Sequence, residues 1–222
     1  MYELERKQVL NTALKLDQYG LIALMGGNVS WRVSEKYVLI TPSGMVYDQM
    51  VATDVLVIDM EGNVVEGERK PSVDTKALLY IMKHKPSAKA VIHTHQPYAT
   101  GLGLVMDKIP CNLSTLANSA EGSVNVAPYG DPGSLSMGIQ AVGAIGDRLS
   151  VVLKHHGVIG IGKDLQQALV SVVYLEEAAK TISVALSTGK PMAEMTPKQI
   201  QTAVDVFRYH YGQSNGYMNK KD

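Results

Sequence analysis

Between Val29 and Asp59 the chain carries three short runs, Val29-Ser30-Trp31-Arg32-Val33, Lys36-Tyr37-Val38-Leu39-Ile40-Thr41 and Asp54-Val55-Leu56-Val57-Ile58-Asp59, and they sharply limit the folds open to it. Gly26-Gly27-Asn28 precedes the first, Pro42-Ser43-Gly44 follows the second, and Glu61-Gly62-Asn63 closes the third. Runs rich in β-branched residues and bounded by such turn formers read as short strands in a meander. Ahead of them, Leu4, Leu10, Leu14 and Leu16 lie close to helical spacing within residues 3 to 19, and Gly20 is a stop signal, so an amphipathic helix opens the chain. Pro71-Ser72 starts a helix running to about His84, with Ser72 as its N-cap, and Ala88 to His93 is a further strand. A helix follows Pro97. Residues 109 to 133, rich in Ser, Asn, Pro and Gly, read as loops on a scaffold, with a strand-like piece at Val124-Asn125-Val126. Residues 134 to 146 are helical, Leu149 to Lys154 and Val158 to Ile161 are strands, Asp164 to Leu186 is a long helix, and a last helix spans about Pro197 to Tyr209. There is no repeat, low-complexity tract or linker. The pattern therefore predicts one α/β domain of the α+β type, a mostly antiparallel central sheet flanked by helices, over residues 1–213, with a loose tail at 214–222.

Charge narrows the function. The 222 residues hold 21 Lys+Arg against 21 Asp+Glu, which leaves a sequence-independent grip on nucleic acid or an anionic membrane without electrostatic support. No run approaches the roughly 18 apolar residues of a membrane span, and Met1-Tyr2-Glu3-Leu4-Glu5-Arg6-Lys7 lacks the apolar core of a signal peptide. Cys111, the single cysteine, cannot form an internal disulfide, which fits a reducing compartment and points to the cytoplasm. An anion bound by such a chain must be held locally, and a transition metal must be held by imidazole and carboxylate, which draws attention to the six histidines.

His93-Thr94-His95 follows the apolar run Ala90-Val91-Ile92. On a strand the period of two places both imidazoles on one face, where they can share a metal. A catalytic zinc takes a third protein ligand and keeps one position open. The third candidate lies in Lys154-His155-His156-Gly157, again at a strand end and beside a glycine that would let a substrate approach backbone. The alternative is that His155 and His156 are ordinary loop histidines, as His84 and His210 are taken to be. Asp74, in the first turn of the helix from Ser72, has two readings: a carboxylate complementing the helix dipole, or a general base or fourth ligand beside the metal. Gly26-Gly27-Asn28, Thr41-Pro42-Ser43-Gly44 and Ser72 offer hydroxyls and backbone N–H groups that can cradle a phosphate without a basic patch, although each alone is more often an ordinary turn.

In order along the chain, Gly27-Asn28-Val29-Ser30, Ile40-Thr41-Pro42-Ser43-Gly44, Pro71-Ser72-Val73-Asp74, Val91-Ile92-His93-Thr94-His95 and Leu153-Lys154-His155-His156-Gly157-Val158-Ile159 resemble the class II aldolase/adducin family. The likeness is strongest to its L-fuculose-1-phosphate aldolase and L-ribulose-5-phosphate 4-epimerase branch and runs from about residue 5 to 213. The resemblance implies zinc or another divalent ion on His93, His95 and His156, and phosphate binding by Asn28, Ser43, Gly44 and Ser72. It implies Asp74 as base, and Tyr211 as a catalytic tyrosine delivered across the interface of a homotetramer with active sites between subunits. The implied reaction is reversible cleavage of a ketose 1-phosphate to dihydroxyacetone phosphate and an aldehyde.

Three departures from the family's pattern stand out. Val73 replaces a second phosphate-binding serine, and Ser114 stands near the aldolase's loop tyrosine. Thr115-Leu116-Ala117-Asn118 has no counterpart of the epimerase's loop aspartate. Asp74 itself matches the epimerases, since the fuculose-type aldolases have glutamate there. An epimerase using the same retro-aldol step is therefore the first rival. A dehydratase acting on a thio-substituted ribulose 1-phosphate has no specific support, and a non-catalytic adducin-like assembly module is opposed by the intact histidines.

Overall fold

The meander forms as expected, and its tight connections at 33–36 and 60–63 are too short for anything but antiparallel return. Helix α1 (Glu3–Gln18) leads into β1 (Asn28–Arg32), β2 (Tyr37–Ile40), β3 (Leu56–Asp59) and β4 (Val64–Glu66), each strand pairing antiparallel with the next. Next come α2 (Thr75–His84), β5 (Ala90–Thr94), α3 (Pro97–Val105), β6 (Lys108–Ile109), α4 (Ser114–Ala120) and β7 (Val124–Ala127). The chain continues through α5 (Leu135–Ile145), β8 (Ser150–Leu153), β9 (Gly157–Gly162), α6 (Leu165–Ser187) and α7 (Pro197–Asp205), then a π-helical turn at Val206–His210. The computed structural model describes residues 1–210, so Tyr211 and the expected tail lie outside the described residues.

The strands join in one nine-stranded sheet in the order β4-β3-β2-β1-β5-β9-β8-β7-β6. Among the described residues only β7 and β8 run parallel, so the expected α+β architecture is the one observed. Strand alternation decides what each layer covers. Leu39, Val57 and Ile92 point into the larger core, which α1, α3, α4, α6 and α7 close. Val38, Ile40, Leu56, Ile58 and Val91 point the other way, under α2 and α5. His93, two residues after Val91, therefore faces α2.

Two expectations need correction. Residues 109–133 are not merely loops, for besides the expected strand, β7, they contain α4. Helix α4 hides from a hydrophobic pattern because it buries small residues, Ala117, Ser119 and Ala120, beside Leu116, and packs closely on α6. Ser72 is not the N-cap of α2, since the helix begins at Thr75 and Asp74 holds the cap position without a side-chain cap bond. An isolated bridge between Pro42 and Pro71, and a 3.3 Å bond from the Ser72 N–H to the Thr41 carbonyl, hold the chain extended through Ser72 and delay the helix.

Candidate active site

Pairing across the centre of the sheet assembles the site. In the β1–β5 ladder Asn28 lies opposite His93, and in the β5–β9 ladder His93 lies opposite Ile159, just past the β8–β9 turn that carries His156. That turn resolves the choice between neighbouring histidines. His155 adopts φ +61, which turns its side chain out to solvent, whereas His156 points inward to meet the other two rings. His84 stacks on Tyr80 and His210 is exposed, so neither joins the cluster.

His93, His95 and His156 each offer a nitrogen, all within 4.8 Å of one another. His93 Nδ1 lies 3.0 Å from the Val158 carbonyl, which places its proton on Nδ1 and leaves the Nε2 lone pair facing the cluster. His93 Nε2 and His95 Nε2 are 3.0 Å apart. Two nitrogens of zinc's tetrahedral shell, each ~2.0–2.1 Å from the ion, would lie only slightly further apart. His156 Nδ1 is buried without a hydrogen-bond partner, an orphan that a cation would satisfy. Burial pushes His93 down to about 4 and lowers His95 and His156 too, against an opposing pull from Asp74. Neutral imidazoles are the form that binds a metal, so this donor set fits a divalent ion.

Gly157 owes its place to protein backbone rather than to substrate approach. A Cβ there would sit 2.2 Å from the Thr94 carbonyl oxygen and close to the rings of His93 and His95. Gly27 is similarly closed in, 2.6 Å from the His93 carbonyl oxygen at its would-be Cβ.

Asp74 is buried beside the histidines, its Oδ2 4.0 Å from His93 Nε2. Its carboxylate accepts from Asn28 Nδ2 at 2.8 Å on one oxygen and from the Gly133 N–H at 3.0 Å on the other. Asn28 Nδ2 also reaches Ser72 Oγ at 3.1 Å, and its Oδ1 is buried without a partner. Ser72 Oγ accepts from the Asp74 N–H as well, at 3.3 Å, which leaves the hydroxyl proton to give away. The N–H groups of Ser43 and Ser72 are bonded to Lys70 and Thr41 carbonyls, so these serines offer hydroxyls rather than main-chain donors. The bridge between Pro42 and Pro71 brings Ser43 and Gly44 alongside Ser72. Val73 is 66% exposed, and Ser114, exposed, opens α4.

Sequence reasoning missed three supports. Gly133 acts through its main-chain N–H, and the Val158 carbonyl steers His93; main-chain groups carry no residue signature. The third is Glu176 of α6, buried, which accepts from the Tyr98 and Ala99 N–H groups at 2.9 Å each. It holds the start of α3, just past His95, while Gln96 accepts from Thr94 and donates to the Val172 carbonyl. Burial raises the Glu176 carboxyl above its ordinary value, against those N–H bonds. A buried glutamate in an otherwise apolar helix face was the available signal.

The fold and the site together define a class: an α/β protein whose central strands hold three histidines beside a buried carboxylate and a hydroxyl-bearing turn. Known proteins supply the family. The family described as Class II Aldolase and Adducin N-terminal domain matches residues 7–183, and the chain belongs to the class II aldolase/adducin family. A 5-deoxy-D-ribulose 1-phosphate aldolase of Bacillus thuringiensis serovar kurstaki is 30% identical over 188 residues, covering 84% of this chain and 88% of that protein. An L-fuculose 1-phosphate aldolase superposes with a TM-score of 0.85 at 29% identity, over 92% of this chain and 96% of the other. The L-fuculose-1-phosphate aldolase of Thermus thermophilus shares the fold, with a TM-score of 0.71 at 23% identity over 83% and 96% of the two chains. Among the described residues no helix is long and apolar enough to cross a membrane.

Proposed function

We propose that the protein is a zinc-dependent aldolase that reversibly cleaves a ketose 1-phosphate of the L-fuculose 1-phosphate type to dihydroxyacetone phosphate and an aldehyde. The observation that carries this reading is Asp74, buried 4.0 Å from a histidine of a three-imidazole cluster and held by one donor on each carboxylate oxygen. His93, His95 and His156 would hold the ion, which when bound supplies a Lewis acid for the negative charge released on C3–C4 cleavage. Asp74 moves the proton at C3, giving it in cleavage and taking it in condensation. Asn28 and the Gly133 N–H keep both of its oxygens oriented during that transfer. Ser43 and Ser72 donate hydroxyl protons to the phosphate with Gly44 beside them, and Asn28 acts on this pocket by fixing Ser72 Oγ. Tyr211, from a neighbouring subunit of a cytoplasmic homotetramer, handles the proton on the aldehyde-derived oxygen.

Zinc-loaded protein should release dihydroxyacetone phosphate from at least one member of a ketose 1-phosphate panel, followed by coupled reduction with NADH. No release from any member overturns the reading. Asp74 in place of glutamate favours a second reading, L-ribulose-5-phosphate 4-epimerase, opposed by the missing carboxylate in Thr115–Asn118. Interconversion of L-ribulose 5-phosphate and D-xylulose 5-phosphate without free fragments would establish it.

A further inference from the structure

The turn that brings Asn28 into the site has little to hold it from its own sequence. Ala23, Leu24 and Met25 are exposed, Leu24 sits at φ +56, and two glycines follow, so the backbone has many ways to enter β1. Much depends on where it settles. A Cβ on Gly26 would lie 2.8 Å from His95 Nδ1, and one on Gly27 2.6 Å from the His93 carbonyl oxygen, so the turn is pressed against both histidines. Asn28, its last residue, spends its side-chain amide on Asp74 Oδ2 and Ser72 Oγ.

Tyr47 reaches this turn from the larger core, where its ring is buried. It opens a short 3-10 turn, Tyr47–Gln49, and its hydroxyl donates to the Gly27 carbonyl at 2.8 Å. A peptide group is planar, so a bond on the Gly27 carbonyl also orients the Asn28 N–H, and with it the Cα from which the Asn28 side chain departs. Burial raises the phenol well above its ordinary value; the Thr41 hydroxyl opposes the rise in part and the Asp74 charge adds to it. The hydroxyl therefore keeps its proton and remains a donor. Thr41 braces the same region, its Oγ1 accepting from the Val29 N–H at 3.2 Å and its carbonyl from the Ser72 N–H at 3.3 Å. Tyr47 stands four residues after Ser43, so one stretch of chain carries both the hydroxyl-bearing turn and the latch on Asn28.

We propose that Tyr47 is a positioning residue: its hydroxyl sets the Gly27–Asn28 peptide, and through Asn28 it sets the direction in which Asp74 presents its carboxylate. The inference rests on the reading of Asp74 as the base. Ring and hydroxyl have separable roles, the ring filling the core and the hydroxyl holding the turn. Tyr47→Phe keeps the first and removes the second.

The test uses the full-length, zinc-loaded protein with L-fuculose 1-phosphate as probe. Tyr47→Phe is expected to lower kcat about 10-fold, short of the roughly 10²-fold of a 1 Å misplacement, with KM and zinc content nearly unchanged. KM holds because the Ser72 hydroxyl is also fixed by the Asp74 N–H. Val9→Ala, which opens a cavity in the same core and lowers the melting temperature, leaves kcat at the parent value. In an Asn28→Ala background Tyr47→Phe costs nothing further, because its effect runs through the asparagine. A readout independent of activity is solvent exchange of the Asn28 side-chain amide protons, followed by NMR on asparagine-labelled protein. It becomes several-fold faster in Tyr47→Phe and stays at the parent rate in Val9→Ala. The proposal is overturned if Tyr47→Phe leaves that exchange or kcat at the parent value, if Val9→Ala loses as much kcat, or if the cost is as large without Asn28. Should the parent leave L-fuculose 1-phosphate uncleaved, or Asp74→Asn keep full activity, the reading of the reaction or of the base fails first and takes the catalytic role of the latch with it. The amide exchange then decides separately whether Tyr47 holds Asn28.

Discussion

Replacing Gly157 with alanine tests whether the histidine cluster depends on close contact between β5 and β9. The new Cβ would lie 2.2 Å from the Thr94 carbonyl oxygen, 3.1 Å from His95 Cδ2 and 3.2 Å from His93 Cε1. Carbon and oxygen approach no closer than about 3.3 Å in strand pairs, so the two backbones must part by about 1 Å. Thr94 cannot yield alone, because it is laddered to Val158 and its side chain is bonded to Gln96. Forced overpacking of this kind costs ~1–3 kcal/mol of stability. The metal suffers more, since ligand distances tolerate only about 0.2 Å of error, and zinc affinity should fall at least about 10-fold. Gly160→Ala is the control: its Cβ meets Val172 Cγ1 at 2.4 Å and Ser171 Oγ at 2.5 Å, on α6 and away from the histidines. Urea unfolding of metal-free protein and zinc competition against a chromophoric chelator give both quantities. Gly160→Ala should lose stability and keep its zinc affinity, while Gly157→Ala loses both. Unchanged zinc affinity in Gly157→Ala would refute the argument that strand spacing sets the cluster.

Other outcomes follow from the same geometry. Asp74→Asn should lower dihydroxyacetone phosphate release by roughly 10²–10⁴-fold, the usual weight of a general base, with zinc content unchanged by elemental analysis. Metal-free protein should lose stability on acidification. His93 titrates at about 4 in the fold against 6.5 when free, so the unfolded chain binds the extra proton. The loss begins as pH falls below 6.5, deepens on further acidification, and adds nothing above neutrality; urea midpoints across that range check it. His95 and His156 shift with the same sign. Glu176→Ala leaves the Tyr98 and Ala99 N–H groups without their partner and should cost about 3 kcal/mol in urea unfolding, at roughly 1–3 kcal/mol per group.

Regular alternation made much of this molecule readable. The strands from Asn28 to Asp59, and the side of the sheet that His93 takes, follow from a period of two that burial enforces; His95, exposed and one residue past β5, still meets the His93 ring. Choosing His156 over His155 depended on one left-handed residue, which no spacing reveals. The strand Val64–Glu66 escaped because its valines are exposed at the sheet edge, and α4 because small residues rather than large ones carry its packing. Ser72 was misassigned because the side chain that caps a helix also serves a turn. Gly157 was correctly singled out and its neighbour misjudged, since a glycine shows that something comes close without showing what.

The order of strands has a consequence for when the metal can arrive. The β1–β4 meander pairs neighbours in sequence, whereas β5 pairs with β9 through contacts such as His93 with Ile159. Closing that long loop costs more chain entropy than closing any turn of the meander, so the central pairing is the slower event. Two histidines on one strand cannot complete the cluster by themselves. A refolding chain that has built only its first four strands therefore holds no three-histidine ion, and zinc uptake during refolding should track the closing of the sheet's middle rather than its first half.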